Sequence, residues 1–111
     1  MSRLMERNLP LIKLLSKSTA AERRKILKSA PKELITALTE GSLNLIRGTV
    51  PLSKQKISKL RRYKKQLKTV AAKKVSAQKK KKILQRGGFL PLLASVLVPA
   101  ISGLISGLVS Q

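Results

Sequence analysis

Over the first two thirds of this chain, apolar residues recur at spacings of three and four, as on a helix with one buried face, and period-two alternation is nearly absent. Leu11, Ile12 and Leu15 keep this spacing, and Asn8 followed by Pro10 predicts a short helix with Asn8 as its cap and the proline in its first turn. Thr19-Ala20-Ala21-Glu22 has the form of a capping box, so a second helix should run to about Ser29 with Ile26 and Leu27 on its apolar face. Ala30-Pro31-Lys32-Glu33 restarts the pattern, since proline is tolerated in a first turn and Glu33 suits the positive end of the helix dipole. Leu34, Ile35, Leu38, Leu45 and Ile46 form the buried stripe of this third helix. Arg47-Gly48 should close it, the glycine taking a left-handed cap.

Pro51-Leu52-Ser53 opens a different kind of helix. Ser53 is a natural N-cap, and Leu52 and Ile57 stand where a hydrophobic staple would pair them. Ile57, Leu60, Leu67, Ala71 and Val75 continue one apolar line, while Lys54, Lys59, Arg61, Arg62, Lys65, Lys68 and Lys73 occupy other faces. No acid stands four residues from any of these cations, so the helix gains no ion-pair support and should need packing or a polyanion to form fully. Val75 to Arg86 is low in complexity and reads as a flexible basic hinge. The fold class expected is all-α: three or four short helices between about Leu9 and Lys74, the hinge, and an apolar C-terminal helix broken near Pro99. The corresponding division is a helical region over 1–50, a polybasic helix and hinge over 51–86, and an apolar tail over 87–111.

Charge sharpens this division. Of the 25 basic residues, ten precede Ser53 together with all four acids, and fifteen lie between Ser53 and Arg86 with no acid at all. A net charge of +21 on 111 residues attracts phosphate polyanions and repels itself, so an acidic partner is expected: DNA, RNA or anionic lipid. With neither Cys nor His, the chain can form no disulfide, thiolate site or imidazole-based metal site, and no metal or other cofactor is expected. Met1 to Leu15 lacks the compact apolar run of a secretory signal. Four scattered glutamates form no acid-base pair, and Ser-x-x-Lys occurs three times, as chance allows in a lysine-rich chain, so no catalytic residue is assigned.

Each cation that pairs with a phosphate releases condensed counterions, which gives affinity without sequence preference. The candidate nucleic-acid contacts are Lys54, Lys56, Lys59, Arg61, Arg62, Lys64, Lys65, Lys68, Lys73, Lys74, Lys79, Lys80, Lys81 and Lys82. Reading bases needs Asn, Gln or Arg at defined positions, and single strands need aromatics for stacking. Tyr63 is the only aromatic in this segment, so double-stranded DNA held by its backbone is the expected ligand. Anionic membrane surface is the other possibility, because a polybasic stretch here adjoins an apolar segment.

From Gly87 onward no side chain is charged. As a helix, Phe89 to Gln111 would reach roughly 30 Å or a little more, enough to cross a bilayer, and Gly103 and Gly107 have the spacing of close helix pairs. Pro91, Pro99 and the Gly/Ser-rich end argue against a plain span. The apolar positions Phe89, Leu90, Leu92, Leu93, Val96, Leu97, Ile101, Leu104, Ile105 and Leu108 suit four roles: a tail anchor, a membrane-disrupting peptide, a segment that docks on a partner such as a capsid protein, or a buried helix of the domain itself.

The junction Gln85-Arg86-Gly87-Gly88-Phe89-Leu90-Pro91-Leu92-Leu93, with lysines before it and an apolar, proline-interrupted tail after it, resembles the C-terminal part of adenovirus core protein X, the precursor family of the DNA-condensing mu peptide. It is also similar to the basic core proteins of adintoviruses and Polinton-type elements. The likeness covers about residues 79 to 111 and not the N-terminal helices. It implies a protein of the virion core and host nucleus that condenses the viral genome. It further implies a viral cysteine protease that cuts after Gly88, with Gln85, Arg86, Gly87, Gly88 and Phe89 as the recognition site. Gln85 meets the protease pattern in its weaker form, lysine replaces the arginine of the adenoviral peptide, and one such site rather than two is present.

Overall fold

The computed structural model describes residues 3–48, 52–85 and 89–110, with side-chain surroundings in the last helix described as far as Pro99. Among the described residues seven helices follow one another: α1 (Arg3–Lys17), α2 (Ala20–Lys28), α3 (Lys32–Ile46), α4 (Lys54–Arg61), α5 (Lys64–Ala71), α6 (Ala77–Gln85) and α7 (Phe89–Ser110). The described residues contain no strand, and the all-α class stands.

Three of the helix-end signals in the sequence, at Thr19, Ser53 and Gly48, hold. Thr19 caps α2, its Oγ1 accepting from the Glu22 amide at 3.2 Å while the Glu22 carboxylate accepts from the Thr19 hydroxyl at 3.0 Å. Ser53 caps α4 through the Lys56 amide at 3.3 Å. Gly48 follows the end of α3 with φ +73°, the left-handed conformation that glycine adopts without a Cβ clash. Pro31 stands at the N-cap of α3, just before the first turn. Thr19→Ala should cost about 1 kcal/mol, because it orphans an amide at an exposed helix start. Urea unfolding of the two chains side by side measures this, and an unchanged midpoint would show that the cap contributes nothing.

Helix interiors depart from expectation. α1 begins at Arg3, so Asn8 and Pro10 lie inside it rather than at its start. Asn8 is buried and its Nδ2 donates to the Leu4 carbonyl at 2.8 Å. Pro10 cannot donate to Glu6, but both residues face solvent, so water can take the freed carbonyl. Pro99 obeys the same rule in α7: it and Ser95 are exposed, and the helix continues past the proline instead of breaking there.

The long basic helix divides at Arg62-Tyr63. Arg62 and Tyr63 close α4 with amide bonds to Lys59 and Leu60, and the Leu67 amide restarts the ladder from the Tyr63 carbonyl. The two halves have different partners, α4 lying on α7 and α5 on α3, which one straight rod could not serve. The segment expected as a hinge is α6, capped by Ser76 through the Lys79 amide at 3.2 Å and anchored by buried Leu84. Helix formation there comes from tertiary contact, since α6 packs on α2, α3 and α5.

A single core draws on all seven helices, with Met5, Leu27, Leu38, Leu60, Leu67, Leu84 and Phe89 each buried in it. The three expected segments therefore share one interior. α3 is its axis: Leu34, Ile35, Ala37, Leu38, Thr39, Gly41, Ser42 and Leu45 are buried against α1 on one side and α5 and α6 on the other. α1, α3 and α7 meet at Gly41, where an added Cβ would lie 2.8 Å from Leu97 Cδ1 and 3.0 Å from Met5 Cε. A side chain here would push aside the ends of Leu97 and Met5.

Among the expected stripe positions, Ile46 and Ile57 stay exposed, at 45% and 39%. With the staple residue Leu52 they line a surface hollow of about 490 Å³ between α3, α4 and α5.

Candidate nucleic-acid interface

The fourteen predicted phosphate contacts fall on α4, the turn between α4 and α5, α5, the turn after α5, and α6. Eleven are exposed: Lys54, Lys59, Arg61, Arg62, Lys64, Lys65, Lys68, Lys73, Lys74, Lys79 and Lys82. They stay outside because the apolar residues of the same helices, Leu60, Leu67, Val70 and Leu84, are drawn into the core and fix each helix's rotation. No acid occurs between Lys54 and Gln85, so nothing in these helices offsets the field of the cations.

The other three predicted contacts behave differently. Lys56 is half-buried. Lys81 is also half-buried and its Nζ donates to the Ala30 carbonyl at 3.3 Å, placing a cation beyond the C-terminal end of α2 where the helix dipole favours it. Lys80 is a correction to the exposed set: only 4% of it is accessible, and its Nζ donates to Thr39 Oγ1 at 2.7 Å. Desolvation lowers its pKa from the ordinary lysine value. A basic tetrapeptide on a helix must turn some side chain inward, and the α2, α3 and α5 contacts of α6 select this one.

Further cations belong to the surface that charge runs alone did not single out. α2 packs on α6 and exposes Arg24, Lys25 and Lys28, opposite the inward residues Arg23 and Leu27. The 3.6-residue period of α2 was the available signal, because these positions alternate with its buried ones. Arg7 on α1 is instead paired with Glu33 at 3.0 Å, an exposed contact of small energetic weight.

Tyr63 offers no stacking platform for bases. Its ring is half-buried against Phe89, the centroids 5.7 Å apart with a tilt of 37°. Among the described residues no group of His, Cys, Asp or Glu could hold a metal ion. What remains is a set of flexible ammonium and guanidinium groups on short rigid helices, suited to backbone phosphates and without a geometry for reading base edges.

The tail residues are placed as part of the domain. Phe89, Leu90, Leu93, Val96 and Leu97 are buried and Leu92 is partly so, committed to contacts with α1 and α4. The available role among the four considered is thus, for this half of the helix, a buried element of the fold. Among the described residues no helix is long and apolar enough to cross a membrane. The side chains of Ile101, Leu104, Ile105 and Leu108 lie outside the described residues, as do Arg86, Gly87 and Gly88 of the cleavage motif. Gln85 ends α6 half-buried, and Phe89 opens α7 at 1% exposure.

Comparison with protein families, curated proteins and solved structures returns no match.

Proposed function

We propose that this chain is a viral or virus-derived core protein that binds and condenses double-stranded DNA through non-specific phosphate contacts. The observation that carries the reading is the one-signed surface of α4, α5 and α6, with eleven exposed cations among the predicted contacts and no acid between Lys54 and Gln85. Three successive helices presenting cations from one compact body can engage more than one duplex segment, as condensation requires. The exposed cations of α2 widen the surface. The similarity of Gln85 to Leu93 to adenoviral core protein junctions supports the viral setting, with the virion core and host nucleus as locations and a viral cysteine protease cutting after Gly88.

The test replaces Lys54, Arg62, Lys65 and Lys68 with Gln, all exposed and outside the core. Affinity should drop for every duplex sequence alike, and the slope of log affinity against log salt should shrink by about one per cation removed. Unaltered binding, or a loss confined to one DNA sequence, would overturn the reading.

A further inference from the structure

The buried Lys80 lies at the edge of a hollow. A cavity of about 570 Å³ opens between α3, the turn after α5 and the start of α6, and Thr39, Arg47, Lys73 and Lys80 are among its walls. Among the described residues, four cations line it, Lys32, Arg47, Lys73 and Lys80, against one carboxylate, that of Glu40. The Thr39 hydroxyl donates to the Ile35 carbonyl at 2.9 Å and accepts from Lys80 at 2.7 Å, so it fixes the ammonium in place. One of the three ammonium protons is used in this bond. A buried lysine held by a neutral hydroxyl is a costly arrangement, and a Met or Leu would fill the same space without desolvating a charge.

We propose that this hollow binds a small, multiply charged phosphate, whose oxygens take the remaining protons of Lys80 and the side chains of Arg47 and Lys73. The excess of three positive charges favours a group with at least two negative ones over a backbone diester with one. The guanidinium of Arg47 can hold two phosphate oxygens at once. The volume is that of an ordinary small-ligand pocket, larger than bare phosphate. Either a free phosphate compound or the 5′-terminal phosphate of a DNA strand has this chemistry. Lys73 apart, the hollow uses none of the exposed cations assigned to duplex binding.

The test is a titration of the full-length, isotope-labelled chain with inorganic pyrophosphate at physiological chloride, followed by amide NMR. Saturable one-to-one shifts centred on Thr39, Asn44 and Lys80 are expected. Lys80→Met should abolish them and Lys82→Met, at an exposed neighbour, should leave them unchanged. Thr39→Val, which keeps the volume but frees the ammonium, should weaken binding about tenfold, and it carries the test with Arg47→Gln if Lys80→Met fails to fold. Shifts that never saturate and spread over α4 and α5, or an affinity indifferent to these three substitutions, would overturn the site. Competition then separates the sources. Displacement by a 5′-phosphorylated duplex and not by its 5′-hydroxyl twin identifies a strand end, and displacement by neither identifies a free phosphate compound. Equal displacement by both would merge the hollow with the duplex surface and overturn it as a separate site. Duplex binding itself is scored independently by the Gln variants of α4 and α5.

Discussion

Between about 50 and 200 mM monovalent salt, the affinity of the intact chain for duplex DNA should fall by about 10³- to 10⁵-fold. The magnitude follows from engaging about six to ten phosphates, each contact returning condensed counterions to solution. Eleven exposed cations on α4 to α6 are enough to supply that number even if part of the surface faces away from any one duplex. Hydrogen bonds to base edges would contribute a term that salt leaves largely untouched. Random, AT-rich and GC-rich duplexes should therefore give parallel lines of log affinity against log salt. Filter binding or fluorescence anisotropy over a salt series measures this. A shallow slope, worth one or two charges, would remove the phosphate surface as the source of affinity.

The same electrostatics bears on folding. The cations of α4 and α5 have no acidic neighbour at helical spacing, so their mutual repulsion opposes the two eight-residue helices that carry them. Isolated helices of this length are unstable in water, and only Leu60, Leu67, Val70 and Ala71 tie these two to the core. Binding a polyanion removes the repulsion and, through linkage, favours the folded state.

What the sequence reveals and what it conceals divide along the range of the interactions. Thr19, Ser53 and Gly48 could be assigned as caps because a helix end is satisfied by atoms within four residues. The charge split at Ser53 was equally visible. The division at Arg62-Tyr63 was not, because it depends on α4 meeting α7 and α5 meeting α3, contacts between residues distant in the chain. α6 looks like a disordered lysine run by composition, yet Lys80 reaches Thr39 forty-one residues away and Leu84 enters the core. Periodicity places a lysine on a helix face but does not tell which face meets a neighbour. The tail was ambiguous for a related reason: an uncharged helix suits lipid, a partner or its own domain, and Met5, Gly41 and Leu97 must be seen together before the choice is made.

Removing residues 89–111 should abolish cooperative folding of the remainder. Phe89, Leu90, Leu93 and Leu97 are each 0–1% exposed and Val96 is 2% exposed, so their loss forfeits burial worth about 1.5–3 kcal/mol for each large side chain. Together these are comparable to the roughly 5–15 kcal/mol that holds a typical domain folded. The loss also uncovers Met5 and the groove at Gly41, where Leu97 packs. A chain ending at Gly88 should show no sharp thermal transition and should bind hydrophobic dye, and a synthetic peptide of residues 89–111 added in trans should restore the transition. Cutting the intact chain after Gly88 is a different event, because α7 begins in place. Its docking then changes from an intramolecular contact to a bimolecular one and becomes dependent on concentration. The cut protein should migrate as one species at high concentration and lose its transition on dilution. Processing would thus act as a release that waits for dilution or a competing apolar surface, and not as immediate separation of a basic body from its tail. A truncated chain as stable as the whole would refute this role for α7, and with it the coupling of cleavage to unfolding.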